Sequence, residues 1–213
     1  MFYAIVKKGE SRSFPEADSF LAGGTTADAA KIIIYLGAPH QPDESKTAIL
    51  VELGTECLGV HTGEMLGNEG SNVLGFARYR LGDHALSPLV ELVVQPRTAP
   101  SAVAAAQTLF EAAGLTVVVC GDQAGRILDR LVRPKYNAAL KLLDEGLATQ
   151  EDIDLTCRLG LGYPEGPLER VMRGGLAHHY TVTKALFETY GTSGYAPARR
   201  AVVAAQRHET KQV

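Results

Sequence analysis

Gly160-Leu161-Gly162-Tyr163-Pro164-Glu165-Gly166-Pro167-Leu168-Glu169 decides the fold of this 213-residue chain. Its glycines and prolines fix a backbone path between two helical patterns. Gly160 and Gly162 tolerate the left-handed conformation that ends a helix. Pro164 stops that helix from continuing, and Pro167 is pre-set for the first turn of the next. Upstream, Thr149-Gln150-Glu151-Asp152 reads as a helix N-terminus, with Thr149 as the cap and two carboxylates in the first turn. The segment predicts helix, helix, sharp corner, helix.

Helical periodicity extends on both sides of this corner. Ala124–Gly146 repeats apolar residues with a helical period, and Pro134 in its middle calls for a kink or for a neighbour that satisfies the freed carbonyl. Gln150–Leu159, Pro167–Arg173, Leu176–Tyr190 and Pro197–Arg207 are further helices, and His208–Val213 is a polar tail expected to fray. Before residue 120 the pattern changes. Phe2–Lys7, Lys31–Leu36, Thr47–Leu53, Val73–Tyr79, Leu89–Val94 and Leu115–Cys120 are short apolar runs bounded by turn residues, which suits buried strands. Thr98–Gly114 is a helix between the last two, with capping residues at its start; a connector of that length favours a right-handed parallel crossover. The expected fold is α/β followed by all-α: a reduced parallel-sheet domain over residues 1–120, a helical domain over 121–207, and the tail 208–213.

Composition excludes several classes. A net charge of −3 argues against nucleic-acid binding. The first residues carry only a short apolar run followed by charge, which is neither a signal peptide nor a membrane span. Cys57, Cys120 and Cys157 are odd in number and far apart, so no disulfide framework or metal site is expected, and a reducing cytoplasm fits.

Two further runs precede the opening segment: Asp122 through Ala139, with Gly125, Arg130, Leu131, Pro134 and Asn137, and Glu145-Gly146, through Ala148, to Asp152-Ile153-Asp154. With Gly160, Gly162, Pro164, Gly166, Pro167 and Glu169, they resemble the C-terminal domain of the 3-hydroxyacyl-CoA dehydrogenases. That family's pattern is approximately D-x-P-G-F-I-x-N-R-L-x-x-P-x-x-N-E-A, then E-x-G-x-A-x-x-x-D-I-D, then G-x-G-x-P-x-G-P-[FL]-E-L. The resemblance implies a Rossmann-like dinucleotide domain joined to a helical domain used for dimerisation and for closing the substrate cleft.

The chemistry implied by that resemblance is less complete. A dinucleotide site needs G-x-G-x-x-G after the first strand, but the chain reads Lys8-Gly9-Glu10-Ser11-Arg12-Ser13-Phe14, with one glycine. Gly23-Gly24-Thr25-Thr26 reads as a turn. The family places a general-base His in G-x-H-F-F-N-P and a Glu in L-V-E that orients it. Here Leu89-Val90-Glu91 retains the Glu, Ala77 stands at the place of the His, and His84 in the intervening loop is a candidate replacement. The family's substrate-orienting Asn is Asp129, a carboxylate that accepts but cannot donate a hydrogen bond. Met172 and Ala177 stand where the family usually has Asp.

Arg126, Arg130 and Arg133 fall at i, i+4 and i+7 of the expected helix. They form either a contact for CoA phosphates or, in the plainer and preferred reading, a solvated or interface face partly neutralised by Asp122 and Asp129. His178-His179 is expected at a surface or interface rather than on a metal. The resemblance therefore implies a family member with degenerate catalysis, retained as a dimerising or acyl-CoA-binding module. Catalytic candidates are Glu91 and His84; substrate-binding candidates are Asp129, Arg126 and Arg130. No cofactor is expected, and the partners are a second copy of the chain, an acyl-CoA or a full-length dehydrogenase. The alternative is an active NAD-dependent oxidoreductase, converting 3-hydroxyacyl-CoA to 3-oxoacyl-CoA with a rearranged site.

Overall fold

The computed structural model describes residues 2–15, 18–64, 71–81 and 85–210. Six strands form one sheet: β1 (Tyr3–Lys7), β2 (Ile32–Leu36), β3 (Ala48–Glu52), β4 (Val73–Arg78), β5 (Leu89–Val94) and β6 (Thr116–Gly121). They lie side by side in chain order. β1 to β4 are mutually parallel, β5 runs antiparallel to β4, and β6 returns parallel to β5. The parallel step from β5 to β6 passes through α3 (Pro100–Ala112), as the connector length required.

The central strands β2 and β3 are continuous apolar runs because both sheet faces are covered there, whereas the edge strand β6 is largely exposed. Along β2, Ile32, Ile34 and Leu36 enter the core shared with Ala102, Ala106, Leu109 and Phe110 of α3. The alternate residues, Ile33 and Tyr35, join Ile49, Val51, Leu53 and Val93 on the opposite face. Thr98 does not cap α3. Its hydroxyl accepts the Gln95 N–H at 2.9 Å, and the helix starts uncapped at Ala99 with Pro100 in its first turn. Among the described residues the loops carry the single-turn helices α1 (Ser19–Ala22) and α2 (Gly59–Thr62).

The helical unit contains α4 (Leu128–Asp144), α5 (Gln150–Leu161), α6 (Pro167–Arg173), α7 (Leu176–Tyr190), a 3-10 turn (Ser193–Tyr195) and α8 (Arg199–Thr210). α4 begins four residues later than its apolar period suggests, because Gly125 and Arg126 both have positive φ, at 70° and 49°. Pro134 removes the donor that would reach the Arg130 carbonyl, and the Tyr195 hydroxyl supplies one instead at 3.4 Å. The α5–α6 corner is stapled by one side chain. Thr149 caps α5 through the Asp152 N–H, and Gly162, left-handed at φ 69°, ends it; Gly160 remains inside the helix. Asp154, buried on α5, accepts the Leu168 N–H at 2.8 Å and the Glu169 N–H at 2.9 Å, capping α6 across the corner. A Cβ at residue 166 would overlap that carboxylate, 2.1 Å from its Cγ, which explains the glycine there.

The chain divides into one unit of Met1–Arg80 with Leu86–Arg126 and another of Leu81–Ala85 with Ile127–Val213. The division follows Arg126 rather than Cys120 because residues 122–126 are bonded back to the first unit. Gly125 N–H, for example, donates to the Thr55 carbonyl at 2.8 Å. Among the described residues, no helix is long and apolar enough to cross a membrane.

Candidate active site

In the sheet unit, the antiparallel register sets Ala77 directly opposite Glu91. Cross-strand partners project to the same face, so a larger side chain at 77 would lie beside the Glu91 carboxylate. Ala77 leaves that space open, and the Arg126 guanidinium sits against Glu91 instead, with Nε 3.4 Å from Oε2. Its Nη2 donates to the Gly54 carbonyl at 2.7 Å. Both side chains are 5% exposed. Two consecutive left-handed residues bring Arg126 there, a conformation uncommon outside glycine. Nε and Nη1 of Arg126 are buried without a hydrogen-bond acceptor.

The chemistry of this arrangement is that of a donor. A guanidinium remains protonated across the biological range and cannot accept a proton from a hydroxyl. Cys120 on β6 is no substitute: burial, reinforced by the Glu91 charge, pushes its thiol up to about 11, so it stays protonated. Asp122 is likewise committed elsewhere. Its carboxylate accepts the N–H groups of Leu58 at 2.6 Å and Gly59 at 2.8 Å, and the Gln95 amide at 3.0 Å.

The helical unit holds the remaining candidates. Asp129 accepts from Arg133 Nε at 2.7 Å, one turn along α4. Arg133 is buried, and its Nη1 contacts His179 Nδ1 at 3.3 Å; His179 Nε2 meets Asn137 Oδ1 at 2.9 Å. Burial and the Arg133 charge lower the His179 pKa to about 3, so the ring is neutral, donating from Nε2 and accepting at Nδ1. Arg130 lies over the Tyr190 ring at 4.6 Å.

The solvated arginine face is therefore corrected. Arg126 precedes the helix and belongs to the sheet unit, Arg133 is buried with Asp129, and Asp122 pairs with neither. His179 is likewise a core residue rather than a surface one, although among the described residues no cluster of His, Cys, Asp and Glu can hold a metal. Glu91 and Arg126, separate candidates in the sequence, are brought together. His84 lies outside the described residues.

Sequence reasoning missed the Arg133–His179–Asn137 chain and the engagement of the loop after β1. There, Glu52 Oε1 accepts from Ser11 Oγ at 2.8 Å and from the Ser13 N–H at 2.7 Å. The available signal was a serine pair after the first strand, with a Glu closing the third, two places along the sheet.

Comparison with known proteins places these features. Residues 125–213 match the family model described as 3-hydroxyacyl-CoA dehydrogenase, C-terminal domain. The mitochondrial hydroxyacyl-coenzyme A dehydrogenase of Homo sapiens is 38% identical over 88 residues, 41% of this chain and 28% of that protein. The 3-hydroxybutyryl-CoA dehydrogenase of Mycobacterium tuberculosis is 35% identical over 114 residues, covering 52% of this chain and 39% of that one. The chain thus matches well under half the length of these relatives. The crystal structure of (S)-3-hydroxybutyryl-CoA dehydrogenase PaaH1 from Ralstonia eutropha superposes with a TM-score of 0.71 at 22% identity, over 88% of this chain and 72% of that one. The sheet is accordingly Rossmann-like.

Proposed function

We propose that this chain, which through residues 125–213 belongs to the 3-hydroxyacyl-CoA dehydrogenase family, has given up the oxidation step and serves as a dimerising, acyl-CoA-binding module. The observation that carries the reading is the pairing at Glu91. The space opposite it holds Ala77 and the Arg126 guanidinium, a group that can stabilise an anion or carbonyl but cannot take a hydroxyl proton.

The groups after β1 also fit NAD poorly. A dinucleotide pyrophosphate needs free backbone donors there, with the strand order reversing beside the site. In this chain the Ser13 N–H and Ser11 hydroxyl are held by the Glu52 carboxylate, which would face the phosphates with like charge. Among the described residues the strands follow chain order without reversal.

Dimerisation is supported by the exposed leucines of α5, Leu155 and Leu159, one turn apart on one face, with Leu161 beyond them. A second copy of the chain, or a full-length dehydrogenase, is the partner proposed for that face, and the cytoplasm, where its free thiols persist, is the proposed location. The test is turnover: with NAD and 3-hydroxybutyryl-CoA the purified chain should form no NADH above background. Turnover at a rate ordinary for an enzyme would overturn the reading. In sedimentation at micromolar concentration the chain should run as a dimer; a monomer would remove the dimerising part.

A further inference from the structure

Within the helical unit, α4, α5 and α6 bring an amine, a thiol and a guanidinium together at the corner that follows α5. Lys135 on α4 is half-buried, with Nζ 4.3 Å from the centre of the Tyr163 ring and 5.7 Å from that of Tyr136. It forms no ion pair with a carboxylate among the described residues, and the aromatic faces hold the amine instead. Tyr163 is fixed by the end of α5. There the Cys157 carbonyl accepts the Gly162 N–H that caps the helix and the Tyr163 N–H at 3.2 Å. Cys157 is a half-buried free thiol that interacts electrostatically with Lys135.

Arg170 on α6 completes the group. It is held by Glu165, with Nε 3.4 Å from Oε2. Burial, reinforced by the Arg170 charge and partly offset by Cys157, keeps the Lys135 amine below the usual lysine range. A lysine desolvated beside another cation carries more of the neutral, nucleophilic form at neutral pH. Lys141, on the same helix, is exposed and serves as an internal reference. Helix residues two apart point about 200° apart. Cys157 therefore lies across α5 from Leu155 and Leu159, and a partner seated on those leucines leaves its face uncovered.

We propose that Lys135 is a self-acylation site, fed through Cys157 by small acyl thioesters. The Cys157 sulfur attacks the thioester carbonyl carbon. A carbon–sulfur bond forms there, the bond to the departing thiol breaks, and the Cys157 proton passes to that thiol through solvent. The Lys135 nitrogen then attacks the same carbon. A carbon–nitrogen bond forms, the bond to Cys157 breaks, and a proton from nitrogen returns to the Cys157 sulfur. The net change is thioester and amine to amide and thiol, with no oxidant, and it removes the positive charge from Lys135. The site does not rest on the acyl-CoA-binding reading, because it needs the thioester group and not the nucleotide.

Mass spectrometry of the intact full chain, followed by peptide mapping, tests the proposal with two donors. One is acetyl-CoA; the other is S-acetyl-N-acetylcysteamine, a truncated thioester without a nucleotide. At neutral pH both are expected to acetylate Lys135 at least about ten-fold faster than Lys141, the advantage of a neighbouring nucleophile. Cys157→Ser should bring Lys135 down to the Lys141 rate. Lys135→Arg should accumulate a thioester on Cys157 that hydroxylamine removes, whereas the lysine amide of the wild type resists it. Lys135 reacting no faster than Lys141 with either donor would overturn the proposal. So would a folded Cys157→Ser chain acetylated at Lys135 as fast as wild type. If Cys157→Ser does not fold, Lys135→Arg decides: no hydroxylamine-labile acetyl group on Cys157 refutes the transfer. The truncated donor separates this result from acyl-CoA binding, since it reacts at Lys135 whether or not the chain binds a nucleotide.

Discussion

Replacing Arg126 by Met tests the arrangement on which the functional reading rests. The side chain is close in length but carries no charge, so Glu91, 5% exposed, would lose the guanidinium 3.4 Å away. Removing one partner of a buried ion pair costs about 3–5 kcal/mol, because the remaining charge stays desolvated. At a urea slope of about 2 kcal/mol/M, the unfolding midpoint should fall by about 2 M. Neutralising both sides in Arg126→Met with Glu91→Gln removes the stranded charge. The double variant should recover all but about 1–2 kcal/mol, the remainder belonging to the Gly54 carbonyl left without its donor. The chain contains no Trp, so circular dichroism in a urea titration is the suitable readout. A single-variant loss below about 1 kcal/mol, or a double variant as damaged as the sum of the singles, would refute a buried, mutually dependent pair.

Three other perturbations probe the helical unit. Gly166→Ala places a methyl on the Asp154 carboxylate and should cost about 3 kcal/mol in urea unfolding by displacing two charge-assisted hydrogen bonds; a loss under about 0.5 kcal/mol would contradict the cap. Tyr195→Phe removes the donor to the Arg130 carbonyl beside Pro134 and should cost about 1 kcal/mol, with Tyr195→Leu costing more through lost packing. His179 is neutral when folded, with its pKa near 3 against an ordinary 6.5. The unfolded chain therefore binds the extra proton between those values, and stability falls as pH drops below 6.5. His179→Gln should flatten that slope between pH 6.5 and 4.5; an unchanged slope in urea melts would show that another group sets it.

The strands were legible because each is a short, mostly apolar run, buried on both faces at β2 and β3 in the middle of the sheet, and the β5–α3–β6 crossover followed from connector length. The corner at Gly162–Pro167 was legible because glycine tolerates the left-handed φ that ends α5 at Gly162, and Pro167 has its φ pre-set for the first turn of α6. The site was harder to read. Placing Arg126, Arg130 and Arg133 on one stripe assumed helix from Ala124 onward, and a left-handed Arg126 after Gly125 has no signature in helical periodicity. That one reversal turns a surface charge into the partner of Glu91. His179 was misplaced for a related reason: two adjacent His residues look polar, and only the buried Arg133 and Asn137 on α4 make the second a core group.

The central claim is that the family's helical architecture persists in this chain while its hydride chemistry does not. Calorimetry on the purified chain with NAD, NADH and acetoacetyl-CoA, each titrated separately, tests it most directly. The account predicts measurable heat of binding for the acyl-CoA and none for either nucleotide at sub-millimolar concentration. Saturable binding of NAD or NADH in that range would contradict it.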